Sequence, residues 1–446
     1  MAFIRSGVQF PSPPQYRLSA RAADFFCTQT ALHKVEDTKV GFPLTLYKCR
    51  IYAEVTMQNF EWVTPTKVFF GAGILNRLGL ETSLWGKRAL FLYGKGSIKT
   101  SGLYNTVVAQ LRGANIFFVE HADVQPNPRI AHATEGARKA KEHDLDCIVA
   151  VGGGSVIDEA KAIAVGALYD EPLWDFYTRK AVFRDALPII AVQTLPATSS
   201  EMNGASVMTN EETHEKFSIR GEMLYPKLAF LDPSLTLSIP VQYTAYACTD
   251  ILSHLMEGYF TASADFPLQD GMVEGVCRAV MGSLETILKT PRDFEARSTI
   301  MWAGALAWNG LLKAGVEGAS IPNHMIEHPL SGMYDIAHGA GLSIVIPAWL
   351  KYMKSHIAHR IVLFGQRIMG LEKQLDGKPA IEASDIVIEA LEAWYLHIGT
   401  PIRLKEAGIQ TLDIDACTKQ AMALSKLWGV PGYTEADIRA IYRLMA

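Results

Sequence analysis

The side chains with the most chemical potential fall in two places. In TAYACTDILSHLMEGYF (244–260), Asp250 and His254 stand four residues apart, a spacing that puts both on one side of a helix, one turn apart. In SIPNHMIEHPLSGMYDIAHGAGLS (320–343), His324 and His328 repeat that spacing and His338 follows ten residues later. An Asp-x-x-x-His pair on a helix is, alone, an ordinary satisfied polar pair. The second cluster changes the reading, because three of the twelve histidines fall within fifteen residues among apolar and small neighbours, and buried imidazoles there need partners. Asp250, His254, His324 and His338 together make an N₃O donor set suited to Zn²⁺ or Fe²⁺.

Phosphate chemistry is suggested elsewhere. DCIVAVGGGSVIDEAKAIA (146–164) reads as a buried strand, three glycines (Gly152, Gly153, Gly154) and a helix start at Ser155. Glycines let backbone approach a pyrophosphate, and the free N–H groups of the helix start attract its charge. The segment lacks GxGxxG, and Ser155-x-x-Asp158 also matches a capping box. TLPATSSEMNGASVMTN (194–210) gathers Thr194, Thr198, Ser199, Ser200 and Asn203 after another apolar run, as expected of the ligand crevice of an open α/β sheet. The first sheet strand ends in Tyr93-Gly94-Lys95-Gly96-Ser97, without an acid. A carboxylate there would bond a ribose 2′-hydroxyl and repel a 2′-phosphate. Gly94, Gly96 and Ser97 leave room and donors for that phosphate, so NADP(H) is expected over NAD(H).

The elements that must position these groups follow from pattern. Between 57 and 240, continuous apolar runs (88–96, 115–121, 146–154, 187–194) alternate with helix-length segments such as 129–144. Unbroken apolar runs mean strands covered on both faces, hence a parallel, doubly wound α/β sheet. After Pro233 and Pro240 the chain turns to Ala, Leu and Met at helical spacing, with segments 271–289, 296–312 and 378–399 reading as helices. An α/β dinucleotide-binding domain (57–240) and an all-α metal-binding domain (241–446) are therefore expected. Thr434 to Asp437 is a cap signal for a last helix.

Composition excludes other classes. The 446 residues are 49% hydrophobic and 20% charged, with formal net charge −4. No basic stripe suggests nucleic acid, and no apolar run reaches the ~20 residues of a membrane helix. Six cysteines without CxxC spacing read as reduced thiols of a cytoplasmic protein; Cys248, beside Asp250, points away from it and packs in the core. Residues 1–56, with FPSPP and poor periodicity, read as an irregular extension, dispensable for folding. Arg5, Arg17 and Arg21 preceding the first acid, Asp24, leave a transit peptide open.

GGGSVIDEAK, TLPATSSEMNG, DILSHLMEGY and HMIEHPLSGMYDIAHG together resemble the iron-containing (group III) alcohol dehydrogenase family, in its butanol dehydrogenase and aldehyde reductase branch. The resemblance spans about 60–440. It implies a cleft between the two domains and an iron or zinc ion held by Asp250, His254, His324 and His338. It further implies pyrophosphate contact by Gly152, Gly153, Gly154 and Ser155 near Asp158, and a cofactor channel lined by Thr194, Thr198, Ser200 and Asn203. Lys216 matches a lysine reaching the nicotinamide ribose, and His328 a histidine beside the substrate, either a proton relay or a group orienting a ligand. Ser199 stands where many relatives have glycine. A homodimer is implied. The activity implied is hydride transfer between NAD(P)(H) and a small alcohol or aldehyde such as butanol or butanal. Because 320–343 holds no Lys or Arg, the substrate is read as uncharged. That counts against a dehydroquinate-synthase-like lyase, which shares the plan. A glycerol-dehydrogenase-like enzyme would carry an acid after the first strand.

Overall fold

The computed structural model describes residues 57–446. The expectations for 1–56, and for Cys27 and Cys49, lie outside the described residues.

Among the described residues eight strands are formed: β1 Lys67–Phe70, β2 Arg88–Gly94, β3 Phe117–Val124, β4 Cys147–Gly152, β5 Ile189–Gln193, β6 Ala205–Asn210, β7 Glu215–Arg220 and β8 Leu228–Leu231. Six make one parallel sheet in the order β1-β8-β5-β4-β2-β3. The apolar runs are unbroken because alternate residues enter two cores. Leu90, Leu92, Ile148 and Ala150 face one core, while Ala89, Phe91, Val149 and Val151 face the other. β1 precedes the strand that reads as first in the sequence. β6 and β7 leave the sheet as an antiparallel hairpin, Ala205 pairing Arg220 and Asn210 pairing Glu215.

Helices α1 Leu103–Gly113, α2 Ile130–Glu142 and α3 Gly154–Gly166 belong to the sheet region. The second half is helical: α4 Val241–Thr261, α5 Pro267–Lys289, α6 Phe294–Ala307, α7 Pro322–Tyr334, α8 His338–Arg367, α9 Ala380–His397, α10 Ile414–Trp428 and α11 Glu435–Arg443. α4 is buried on nearly every side, as befits a central helix with apolar residues all round. α6 stops at Ala307 rather than running to 312, because the chain turns through Gly310 at φ 91°, left-handed backbone that only glycine adopts cheaply. Thr434 and Asp437 form the expected reciprocal cap on α11.

Two junctions fix the histidines. α7 ends at Asp335 in the left-handed region (φ 52°) and α8 begins at His338 itself. The start of α8 presses so closely on its neighbours that a Cβ on Gly339 would lie 2.1 Å from the Tyr246 carbonyl oxygen, and one on Gly341 2.3 Å from Glu327 Oε1.

Candidate metal and cofactor site

Asp250 and His254 project from α4, His324 from α7 and His338 from the first turn of α8. Their donor atoms converge on one carboxylate oxygen. Asp250 Oδ1 lies 3.4 Å from His254 Nδ1, 3.4 Å from His324 Nε2 and 3.8 Å from His338 Nε2. Donor atoms about 2.1 Å from a tetrahedral ion are about 3.4 Å from one another, so the spacing of Asp250, His254 and His324 fits a shared cation, with His338 next to it at 3.8 Å from Asp250 and also close to Glu327 and His328. Hydrogen bonding agrees: Asp250 Oδ1, His254 Nδ1 and His324 Nε2 are buried without a partner, a costly state that a cation would relieve. By contrast, both ring nitrogens of His121 and of His132, another compact group with Glu159, have protein partners. Burial opposes ionisation of Asp250, but the surrounding imidazoles outweigh it and hold the carboxyl well below its usual range.

Two carboxylates behind the histidines were not singled out in the sequence. Glu257 Oε2 accepts from His324 Nδ1 at 2.5 Å, while its Oε1 accepts the backbone N–H groups of Asn323 and His324 at 2.5 and 3.0 Å. Glu327 accepts from His338 Nδ1 and from the Ser331 hydroxyl. A carboxylate only accepts, so each Nδ1 carries the proton and each Nε2 turns its lone pair toward Asp250. The signal was available: Glu257 is one helical turn beyond His254, and Glu327 one turn before Ser331. Cys248 is buried and burial pushes its thiol up to about 12, in keeping with packing alone.

A cavity of about 1000 Å³ runs along the carboxyl ends of the strands, and Gly94, Ser97, Gly152, Gly153 and Thr194 line it. Gly96 is exposed beside it. α3 starts at Gly154 after Gly153, with no side chain capping it, so its first N–H groups are open to an anion. The Ser155–Asp158 capping box does not form. Asp158 turns instead into the interior, accepting from the Ser200 hydroxyl at 2.5 Å and Val207 N–H at 3.0 Å. Burial raises its carboxyl, with Lys161 opposing. Lys161, fully buried, donates to Ser200, Asn203 and the Ala205 carbonyl, and burial lowers its ammonium to about 8. Ser200 is thus spent behind the channel it was expected to line. Ser199 adopts φ 52°, the region glycine occupies freely. Its hydroxyl compensates by donating to the Gly304 carbonyl and accepting from Trp308 N–H.

A narrower space of about 130 Å³ connects the phosphate loop to the histidines. Gly154, Ser155, Asp158, Thr198, Asn203 and Lys216 line one side, and His254, His324, His328 and His338 the other. Lys216 Nζ donates to Asn127 Oδ1 at 2.9 Å, and the Lys216 carbonyl accepts from His328 Nδ1 at 3.1 Å. His328 therefore keeps Nε2 as an acceptor toward the cavity. Burial, reinforced by Lys216 and His338, holds its imidazole neutral. Its hydrogen bond runs to a carbonyl of β7, and its ring packs edge-on 5.5 Å from that of His338. Beyond the histidines lies a further space of about 460 Å³, walled by Trp308 and Trp428. Trp302 and Phe260 do not reach it: Trp302 packs its edge on Phe70 at the surface, and Phe260 is buried in the core.

Comparison with known proteins identifies the family. The family model "Iron-containing alcohol dehydrogenase" matches residues 65–233, and "Fe-containing alcohol dehydrogenase family, C-terminal" matches 244–445. The chain belongs to the iron-containing alcohol dehydrogenase family. It is 39% identical to the probable NADH-dependent butanol dehydrogenase 1 of Bacillus subtilis, over 87% of this chain and 99% of the relative. It is 31% identical to an NADPH-dependent aldehyde reductase of Escherichia coli, over 82% and 93% of the two chains. The solved NADH-dependent butanol dehydrogenase A of Thermotoga maritima superposes with TM-score 0.83 at 38% identity, covering 87% of this chain and 99% of that one. The parallel sheet followed by a helical half is the fold of these neighbours, and the chain is a nicotinamide-dependent, metal-dependent alcohol–aldehyde oxidoreductase by family. Among the described residues no helix is long and apolar enough to cross a membrane.

Proposed function

We propose that this chain interconverts small aldehydes and primary alcohols, with Asp250, His254, His324 and His338 holding one divalent iron or zinc ion. The carrying observation is the set of buried, unpartnered donor atoms around Asp250 Oδ1 at the junction of two cavities. The printed names of the relatives, butanol dehydrogenases and an aldehyde reductase, support this substrate class. When bound, the ion polarises the carbonyl and the reduced nicotinamide gives hydride, so aldehyde, NAD(P)H and one proton become alcohol and NAD(P)⁺. The residues do the rest. The phosphate loop Gly152–Ser155 and the start of α3 anchor the cofactor's charge. Lys216, fixed by Asn127, would reach the cofactor's ribose. His328 Nε2 accepts a hydrogen bond from the alcohol or a ribose hydroxyl and orients the proton's route.

Among the two coenzymes we favour NADP(H). No carboxylate follows β2, and the one acid lining the larger cavity, Asp232, is spent on Gly73 N–H and Ser234. The NADH-dependent names of the Bacillus and Clostridium acetobutylicum relatives define the opposite outcome. By the family resemblance we also propose a cytoplasmic homodimer, which ultracentrifugation and cell fractionation test. The function itself is tested by elemental analysis of anaerobically purified protein, with butanal reduction followed for NADPH and NADH. Asp250→Ala should lose both metal and turnover; a variant with full metal content overturns the ligand assignment.

A further inference from the structure

The cavity beyond the histidines carries a charge pattern that a neutral alkyl aldehyde does not use. Arg179, Arg220 and Lys313 line it, and among the described residues no acidic one does. They arrive from the chain after Tyr177, from the end of β7 and from the turn after α6, so the lack of cations in 320–343 speaks for that segment alone. Arg220 and Lys313 flank one indole. The Arg220 guanidinium carbon lies 5.8 Å from the centre of the Trp308 ring and Lys313 Nζ 3.7 Å from it. Trp308 in turn sits 5.0 Å, ring to ring, from His254. Lys313 Nζ is buried with no hydrogen-bond partner. Burial pushes its ammonium down to about 7. The carboxylate that acts on it, Glu257, is already committed to His324 and two backbone N–H groups. Among the described residues neither arginine has a carboxylate partner within ion-pair distance.

Arg179 and Arg220 are exposed while Lys313 Nζ is buried, so two hydrated guanidiniums and one desolvated amine present a positive potential to whatever enters the pocket. The guanidinium is also the group best shaped to take a carboxylate with two parallel hydrogen bonds. We propose that Arg220, Lys313 and Arg179 form an anion subsite, and that the substrate is a short aldehyde or alcohol bearing a carboxylate at its far end. This rests on the alcohol–aldehyde reading above and names the substrate class for it. The carbonyl end would meet the histidines and the carboxylate end would pass Trp308 to the cations.

The test compares 4-oxobutanoate with butanal, two aldehydes of equal carbon number, on the purified full-length metal-loaded enzyme. The wild type should favour 4-oxobutanoate in kcat/KM by about tenfold or more. In Arg220→Ala the ratio of the two kcat/KM values should fall at least about tenfold, chiefly through KM, with partial recovery in Arg220→Lys. Lys313→Met should lower the same ratio, and succinate should inhibit the wild type more strongly than Arg220→Ala or Lys313→Met. Equal or better use of butanal by the wild type, or variants that leave the ratio unchanged, overturns the subsite while leaving the parent activity standing. Reduction of neither aldehyde overturns the parent reading and the subsite with it.

Discussion

Glu257→Gln isolates what the carboxylate behind His324 contributes. The substitution keeps the shape, and an amide oxygen can still accept the two N–H groups at the start of α7. The amide nitrogen must then face His324 Nδ1, donor against donor. The ring escapes by moving its proton to Nε2, the atom that lies 3.4 Å from Asp250 Oδ1, and in that tautomer it has no lone pair to give a cation. Loss of such an outer partner costs metal proteins about 10- to 100-fold in affinity, which is about 1.4–2.8 kcal/mol at 1.4 kcal/mol per decade. Competition with a calibrated chelator, read as the dissociation constant for Zn²⁺ or Co²⁺, measures this directly. Glu257→Ala should cost metal affinity and also stability, by about 0.5–2 kcal/mol for two helix-start donors left bare. A Gln variant binding metal within about twofold of wild type would refute the tautomer argument.

His328→Ala should keep its metal yet lose about 10²-fold in kcat; equal turnover at every pH would remove the imidazole from the proton's route. Gly94→Asp should move coenzyme preference toward NAD(H). The site accepts a side chain, since its Cβ would meet only the Val124 carbonyl at 3.6 Å and Val156 at 3.9 Å, so an unaltered ratio of NADPH to NADH efficiency counts against the ribose argument rather than the fold. Gly341→Ala drives a Cβ to 2.3 Å from Glu327 Oε1. It should lower metal content and melting temperature together, as Glu327 is pushed off His338; a fully metallated variant would show that α8 yields instead.

The sequence alone determined the parts governed by local rules. Unbroken apolar strands imposed a parallel sheet covered on both faces. Helical spacing put Asp250 above His254, and the donor types suited iron or zinc. Tertiary structure decided whatever depends on which surfaces meet. Only the packing of α4 against α7 and α8 brings Glu257 and Glu327 behind the histidines and sets their tautomers. Only the turn of Asp158 toward the β6–β7 hairpin converts an apparent helix cap into a buried partner of Ser200 and Lys161. Arg179, Arg220 and Lys313 are more than forty residues apart in successive steps and become one charged wall only in three dimensions. Periodicity reports the direction a side chain leaves its own element; the partner waiting there belongs to another stretch of chain, and only folding supplies it.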